Sequence, residues 1–193
     1  MTYQEQLWES PEPFDWLVDR GLAPETVWEA GLGYVGTPDE RSHRRLEGSI
    51  EIPYIDARGR RVGARYRHLR LGTQRKYDQV HGTRAHLYGV SLTQEPVVHL
   101  TEGEFDALVL RQLGLSAVGV PGATAWKREW RWLFRDTDLV VVWTDADEAG
   151  KRARQRIAGS VSQVTDVRTV ELPDGMDVTD VYLEDPERLR ELA

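Results

Sequence analysis

The sequence predicts an α/β protein, α+β overall, in which a parallel sheet flanked by helices follows a small basic α+β subdomain. From Pro96 onward, short apolar runs alternate with stretches of helical periodicity, the grammar of repeated β–α units and so of a parallel sheet. Before that point the pattern differs: a helical pair, then two runs of period-two alternation joined by a turn. Charge divides along a similar line. Arg41–Arg84 holds twelve Lys and Arg against four Asp and Glu, while the remaining chain has thirteen basic and twenty-eight acidic residues. The boundary falls near Thr93, giving residues 1–93 as a basic N-terminal subdomain and 94–193 as the α/β domain.

The first pattern begins at Ser10-Pro11, where Pro13 also suits a helix start and Phe14, Leu17 and Val18 recur at helical spacing. Gly21 fits a C-terminal stop. Ala23-Pro24-Glu25 restarts a helix carrying Val27, Trp28 and Ala30, and Gly31-Leu32-Gly33-Tyr34 closes it. Thr37 to Arg45 is polar and reads as a loop. Ser49 to Arg67 reads as a β-hairpin: Ile50, Ile52 and Tyr54 alternate, Asp56-Ala57-Arg58-Gly59 turns, and Val62, Ala64 and Tyr66 alternate on the return. Period two then places Arg61, Arg65 and Arg67 on the other face, where they suit phosphate binding or a solvated surface equally. Leu71 to Gly82 is a polar connection.

In the second part, Val97–Leu100 is a strand and Phe105, Leu108, Val109 and Leu113 form the apolar stripe of the next helix. Ala117–Val120 is a second strand. A helix over Trp126–Phe134 puts Trp126, Trp130 and Leu133 on one face, a spacing that favours core packing over base stacking. Leu139–Trp143 is a continuous apolar run, as expected for a strand covered on both faces. A helix from Glu148 through Ile157 follows it, then a strand over Val164–Leu172 and a terminal helical segment.

Composition narrows the function classes. With 40% hydrophobic and 30% charged residues in 193, the chain is ordinary for a globular protein. No apolar run is long enough to span a bilayer, and the N-terminus lacks the plan of a signal peptide, so the default expectation is cytoplasmic. Cysteine is absent, which excludes disulfides and Cys-based zinc sites in this polypeptide. His43, His68, His81, His86 and His99 are scattered without ligand spacing. A net charge of −7 looks wrong for a nucleic-acid binder, but the basic stretch beside an acidic body suits a protein that handles polyanions and collects cations.

The acidic residues carry the chemistry. The Leu139–Trp143 run ends in Asp145 and Asp147, two carboxylates one residue apart at the carboxyl end of a buried strand, the edge where open α/β sheets bind ligands. Hard cations such as Mg²⁺ take one or two such carboxylates and leave positions for water and substrate phosphates. The plain structural alternative makes Asp147 a helix cap and Asp145 a turn residue. Parallel strands bring Glu102 to the same edge, with Asp106 one helical turn beyond, and Asp177 and Asp180 can approach it after the fourth strand. Carboxylates gathered so closely need a cation or shared protons, which weakens the purely structural alternative.

Glu102-Gly103-x-x-Asp106, then Asp145-x-Asp147-x-Ala149-Gly150, then Asp177, resembles the TOPRIM domain of topoisomerases, DnaG-type primases, certain nucleases and recombination proteins, over about residues 96–183. Further stretches resemble the start of the DnaG-type primase RNA-polymerase core: Leu22-Ala23-Pro24-Glu25-Thr26, Ile52-Pro53-Tyr54-Ile55-Asp56 through Gly63, Arg67, Lys76-Tyr77 and Leu87-Tyr88-Gly89. The resemblance implies template-directed synthesis of short RNA primers from nucleoside triphosphates on single-stranded DNA, with one or two Mg²⁺ or Mn²⁺ ions. On this reading Asp145 and Asp147, helped by Asp177, Asp106 and Asp180, hold metal. Glu102 is a general base or further ligand, and Arg65, Arg67, Lys76 and Arg84 bind nucleotide and template. It also implies a monomeric core away from membranes, working with a replicative helicase or a separate zinc-binding initiation protein. Several features depart from the family pattern. No Cys exists to build the family's zinc module, Met176 stands where a Lys is usual, and the chain stops after the TOPRIM stretch. A minimal core, an excised core, or a small phage or plasmid primase is therefore expected. A TOPRIM nuclease using the same carboxylates and a binding module with a vestigial site are the rival readings.

Overall fold

Thr2 opens the chain with a reciprocal cap: its hydroxyl accepts from Glu5 N at 3.2 Å while the Glu5 carboxylate accepts from Thr2 N at 2.6 Å. That cap starts a helix, α1 (Tyr3–Trp8), that the sequence pattern does not announce, being one and a half turns long. Prolines at the first helical positions open α2 (Pro11–Asp19) and α3 (Pro24–Glu29), the expected helical pair. The computed structural model describes residues 1–70, 75–80, 82–122, 124–144 and 148–193. It divides into two units, Met1–Ile55 with Arg60–Arg84, and Ala85–Ala193 with the turn Asp56–Gly59.

In the first unit the expected hairpin is the centre of a four-stranded antiparallel sheet. Its strands are β1 (Gly33–Tyr34), β2 (Ser49–Ile55), β3 (Arg61–His68) and β4 (Tyr77–Gln79), in that spatial order. The edge strands are two and three residues long, too short to show periodicity in sequence. Because β2 is buried on both faces from Ser49 to Tyr54, its register does not match apolar side with apolar side. Ile50 pairs with Arg67, Ile52 with Arg65, and Glu51 with Tyr66. A bulge at Tyr54/Ile55 breaks the alternation, so Arg61 leaves the Arg65/Arg67 face and pairs with buried Glu51 at 2.6 Å, where Tyr66 also donates at 3.0 Å. The polar stretch after Thr37 is more ordered than its composition suggests: a 3₁₀ helix, Arg41–Leu46, buries Leu46. The Tyr3 hydroxyl donates to the Asp39 carboxylate and lies 2.9 Å from His43 Nδ1, tying α1 to this segment.

The second unit is a parallel sheet in the order β6-β5-β7-β8, from β5 (Val97–Thr101), β6 (Ala117–Gly119), β7 (Leu139–Thr144) and β8 (Asp166–Glu171). Helices α4 (Glu104–Gln112), α5 (Glu148–Val161), α6 (Val178–Glu184) and α7 (Pro186–Leu192) accompany it. Central β7 is buried from Val140 to Thr144, as its unbroken apolar run requires. Val98, Leu100, Val140 and Val142 share a core with Ile157, Val161 and Phe134. The segment expected as an α-helix from Trp126 is instead a 3₁₀ helix, Arg128–Phe134. Its Trp126, Trp130 and Leu133 still serve the core, Trp126 meeting Trp130 edge-on at 5.9 Å. Among the described residues no helix is long and apolar enough to cross a membrane.

On the inner strands Trp143 Nε1 donates to His99 Nδ1 at 2.9 Å, both side chains buried. That bond requires an unprotonated Nδ1. Burial, reinforced by the charge of Arg168, lowers the His99 pKa from 6.5 to about 4. The unfolded chain therefore binds the extra proton first, so stability is full above about pH 6.5 and falls as pH drops toward about 4. The expected loss is on the order of 3 kcal/mol across that window. Urea denaturation at pH 7 and pH 4.5 measures it, and His99→Gln should flatten the dependence.

Candidate active site

Parallel pairing brings β5 and β7 out at one edge: Leu100 pairs with Val142, and the strands end at Thr101 and Thr144. Glu102 follows Thr101 directly. Asp145 follows Thr144 in sequence and, with Asp147, lies outside the described residues. The turn after β5 is fixed by backbone contacts. Thr101 Oγ1 donates to Gly103 O at 2.8 Å and Val118 O at 3.3 Å, and Gly122 N donates to Glu102 O at 3.2 Å. Neighbouring β6 passes so close that a Cβ on Gly119 would stand 2.6 Å from Gly103 O and 3.3 Å from Glu104 Cα. Only glycine permits that approach.

Asp106 sits in the first turn of α4, where Oδ1 accepts from Thr179 Oγ1 at 2.9 Å. The bond joins the starts of α4 and α6. Asp177 and Asp180 form a reciprocal cap at the start of α6: Asp177 Oδ1 accepts from Asp180 N at 2.7 Å, and Asp180 Oδ2 from Asp177 N at 3.1 Å. The structure thus brings Asp106 to the Asp177–Asp180 segment, while each carboxylate of that pair spends an oxygen on the cap. Among the described residues no group of three or more His, Asp or Glu side chains is placed to hold a metal ion.

The candidate nucleotide- and template-binding residues Arg65, Arg67, Lys76 and Arg84 are all in the first unit. Arg65 and Arg67 stand over the Tyr77 ring, with Cζ to centroid distances of 4.4 and 5.4 Å. Arg67 also lies 5.5 Å from the Trp16 ring, and Arg20 lies 4.9 Å from the same ring. Arg67 Nη1 donates to His68 O at 2.9 Å and Lys76 O at 3.3 Å, which fixes the guanidinium between two aromatic faces. Burial and the nearby charge of Arg20 pull its pKa down, though an arginine stays charged at any working pH. Lys76 and Arg84 are exposed.

A family model described as Toprim-like matches residues 99–182. Gene 57 protein of Mycobacterium phage D29 is 36% identical over 137 residues, covering 68% of this chain and 88% of that protein. The chain belongs to the TOPRIM family. A DNA primase of Synechococcus elongatus is 28% identical over 178 residues, 83% of this chain but 25% of that protein. The Aquifex aeolicus primase structure, with zinc-binding and RNA polymerase domains, superposes with a TM-score of 0.84 at 24% identity. The match covers 98% of this chain and 57% of that one.

The TOPRIM core carries two features beyond the candidates read from sequence. Glu104 is buried, 1% exposed, within the first turn of α4. Near it, buried Tyr88 exchanges backbone hydrogen bonds with Gly119 at 2.9 and 3.0 Å, extending the sheet beside β6. Arg111 Nε donates to Ala117 O at 2.7 Å, and its guanidinium lies 4.8 Å from the Tyr88 ring centroid. Burial pushes the Tyr88 hydroxyl up to about 12, partly offset by Arg111. This explains the Leu87-Tyr88-Gly89 motif, because Gly89 has φ +73° and any Cβ would fall 1.5 Å from Arg111 Nη2. Nothing in spacing alone signals Glu104 or Arg111, which read as ordinary helix residues. Trp16, inside α2, and Arg20, its C-terminal cap, likewise carry no local signal.

Proposed function

We propose that this chain is a DNA primase core that builds short RNA primers from nucleoside triphosphates on single-stranded DNA with the help of divalent metal. The observation that carries the reading is the shared edge of β5 and β7, which delivers Glu102 and leads directly into Asp145. Membership of the TOPRIM family supports it. The candidate donors are carboxylate oxygens, a set that fits Mg²⁺ or Mn²⁺ rather than zinc. Asp145 and Asp147 would hold the metal, aided by Asp106, Asp177 and Asp180. When bound, such an ion neutralises triphosphate charge and lowers the pKa of the attacking 3′-hydroxyl.

The chain's own groups do the rest. Glu102 takes the 3′-hydroxyl proton or completes the ligand set. Thr179 holds Asp106 in one orientation. Arg65, Arg67, Lys76 and Arg84, joined by Arg20, bind nucleotide and template phosphates through charge-assisted bonds, and the rings of Trp16 and Tyr77 keep three of those guanidiniums in place. A replicative helicase or a separate zinc-binding initiation protein would direct the core to its start sites. The test is incubation with single-stranded DNA and four labelled ribonucleotides in Mg²⁺ or Mn²⁺. Short RNA products are expected; shortening of end-labelled DNA without RNA synthesis would replace this reading with a nuclease.

Removing the Thr179 hydroxyl probes the positioning. Thr179→Val removes the hydroxyl that bonds Asp106 Oδ1 and is expected to weaken Mn²⁺ binding about tenfold, the scale of other contacts that orient metal ligands. Calorimetric titration checks it, with thermal unfolding as the control for fold.

A further inference from the structure

The helices of the first unit expose an aromatic cluster that the primase reading does not use. Trp8 of α1, Phe14 of α2 and Trp28 of α3 touch in series, with centroids 4.8 Å apart for Trp8–Phe14 and 5.7 Å for Trp8–Trp28. Trp28 is 59% exposed and Trp8 40%. Together with Pro24, Glu25 and Glu29 they line an open cleft of about 390 Å³. The cleft is preformed, since Gln4 Nε2 donates to Trp28 O at 2.9 Å and locks α1 to α3. Exposed contiguous tryptophan is expensive in water and is characteristic of the anchors of protein interfaces.

Charge indicates what fits. Residues 1–32 hold seven Asp and Glu and one basic residue, Arg20, the reverse of the balance over Arg41–Arg84. Glu25 and Glu29 sit one helical turn apart on α3, both exposed, on either side of Trp28 in the chain. A polynucleotide could stack on the rings, but its phosphates would face this carboxylate rim. We propose that the cleft docks a basic segment of a partner protein, an apolar side chain resting against the exposed Trp8 and Trp28 rings and flanking Lys or Arg residues meeting Glu25 and Glu29.

The probe is a fluorescently labelled amphipathic lysine–leucine peptide, with a glutamate–leucine peptide of the same pattern beside it, titrated into the full chain. The lysine peptide should bind and the glutamate peptide should not. Trp28→Ala should weaken binding by about tenfold or more, on the scale of a tryptophan anchor. The double change Glu25→Lys with Glu29→Lys should reverse the preference toward the glutamate peptide. Both variants alter exposed side chains, and circular dichroism verifies that they fold. Equal binding of the two peptides, or binding untouched by Trp28→Ala, would overturn the proposal. So would sedimentation showing that the wild type self-associates through this face and Trp28→Ala does not, because the occupant would then be a second copy.

Discussion

Replacing Asp145 with asparagine is expected to abolish primer synthesis while leaving the fold intact. The carboxylate follows the last residue of β7 in sequence, and in the proposed metal site a lost charge removes transition-state stabilisation of several kcal/mol, about a thousandfold or more in rate. Stability should hardly change, because the β7 core is built from Val140, Val142 and Trp143, not from the edge. Glu102→Gln should give a loss of similar order. Primer yield on single-stranded template measures the first effect and thermal unfolding the second. An Asp145→Asn protein that still primes would remove this residue from the metal site.

Gly119→Ala is expected to be a strongly damaging change, although it adds only a methyl group. The added methyl would meet the carbonyl oxygen of Gly103 at 2.6 Å, and that contact is backbone, which cannot rotate away. Either β6 shifts and loses its exchange with Tyr88, or the turn bearing Glu102 moves. The cost is about 3 kcal/mol, the upper end for overpacking, which in a chain of this size lowers the melting temperature by about 10 °C. Gly114→Ala is the control: its φ is +85° but no atom lies within 4 Å, so it should lose only the backbone strain, about 1 kcal/mol. If the two variants melt together, the close passage of β6 is not what shapes the turn. Activity of Gly119→Ala should fall further than its folded fraction, since Glu102 is displaced in the molecules that remain folded.

What could be read in advance followed the length of the signal. The parallel sheet was legible because Leu139–Trp143 and the runs around it are continuous and separated by long helical stripes. Strands β1 and β4 and helix α1 were not, since runs this short contain fewer than two periods and form through tertiary pairing. The three-arginine face failed at Arg61 because a bulge resets period two, and bulges leave no mark in a Val-Gly-Ala run. Within the candidate site, the sequence placed Asp106 one helical turn beyond Glu102, but the Thr179 bond that fixes Asp106 joins residues 73 apart in sequence. Arg67 was visible as a charge. Its sandwich between Trp16 and Tyr77 depends on packing α2 against the sheet, which no local pattern encodes.

The most direct measurement is Mn²⁺ binding to the intact chain, followed by calorimetry or by the paramagnetic signal of the free ion. One or two ions should bind to the wild type, and binding should collapse in the combined Asp145→Asn, Asp147→Asn protein while the melting temperature holds. Undiminished Mn²⁺ binding in that variant, or no binding by the wild type, would contradict a cation site at the β5–β7 edge and with it the primase mechanism.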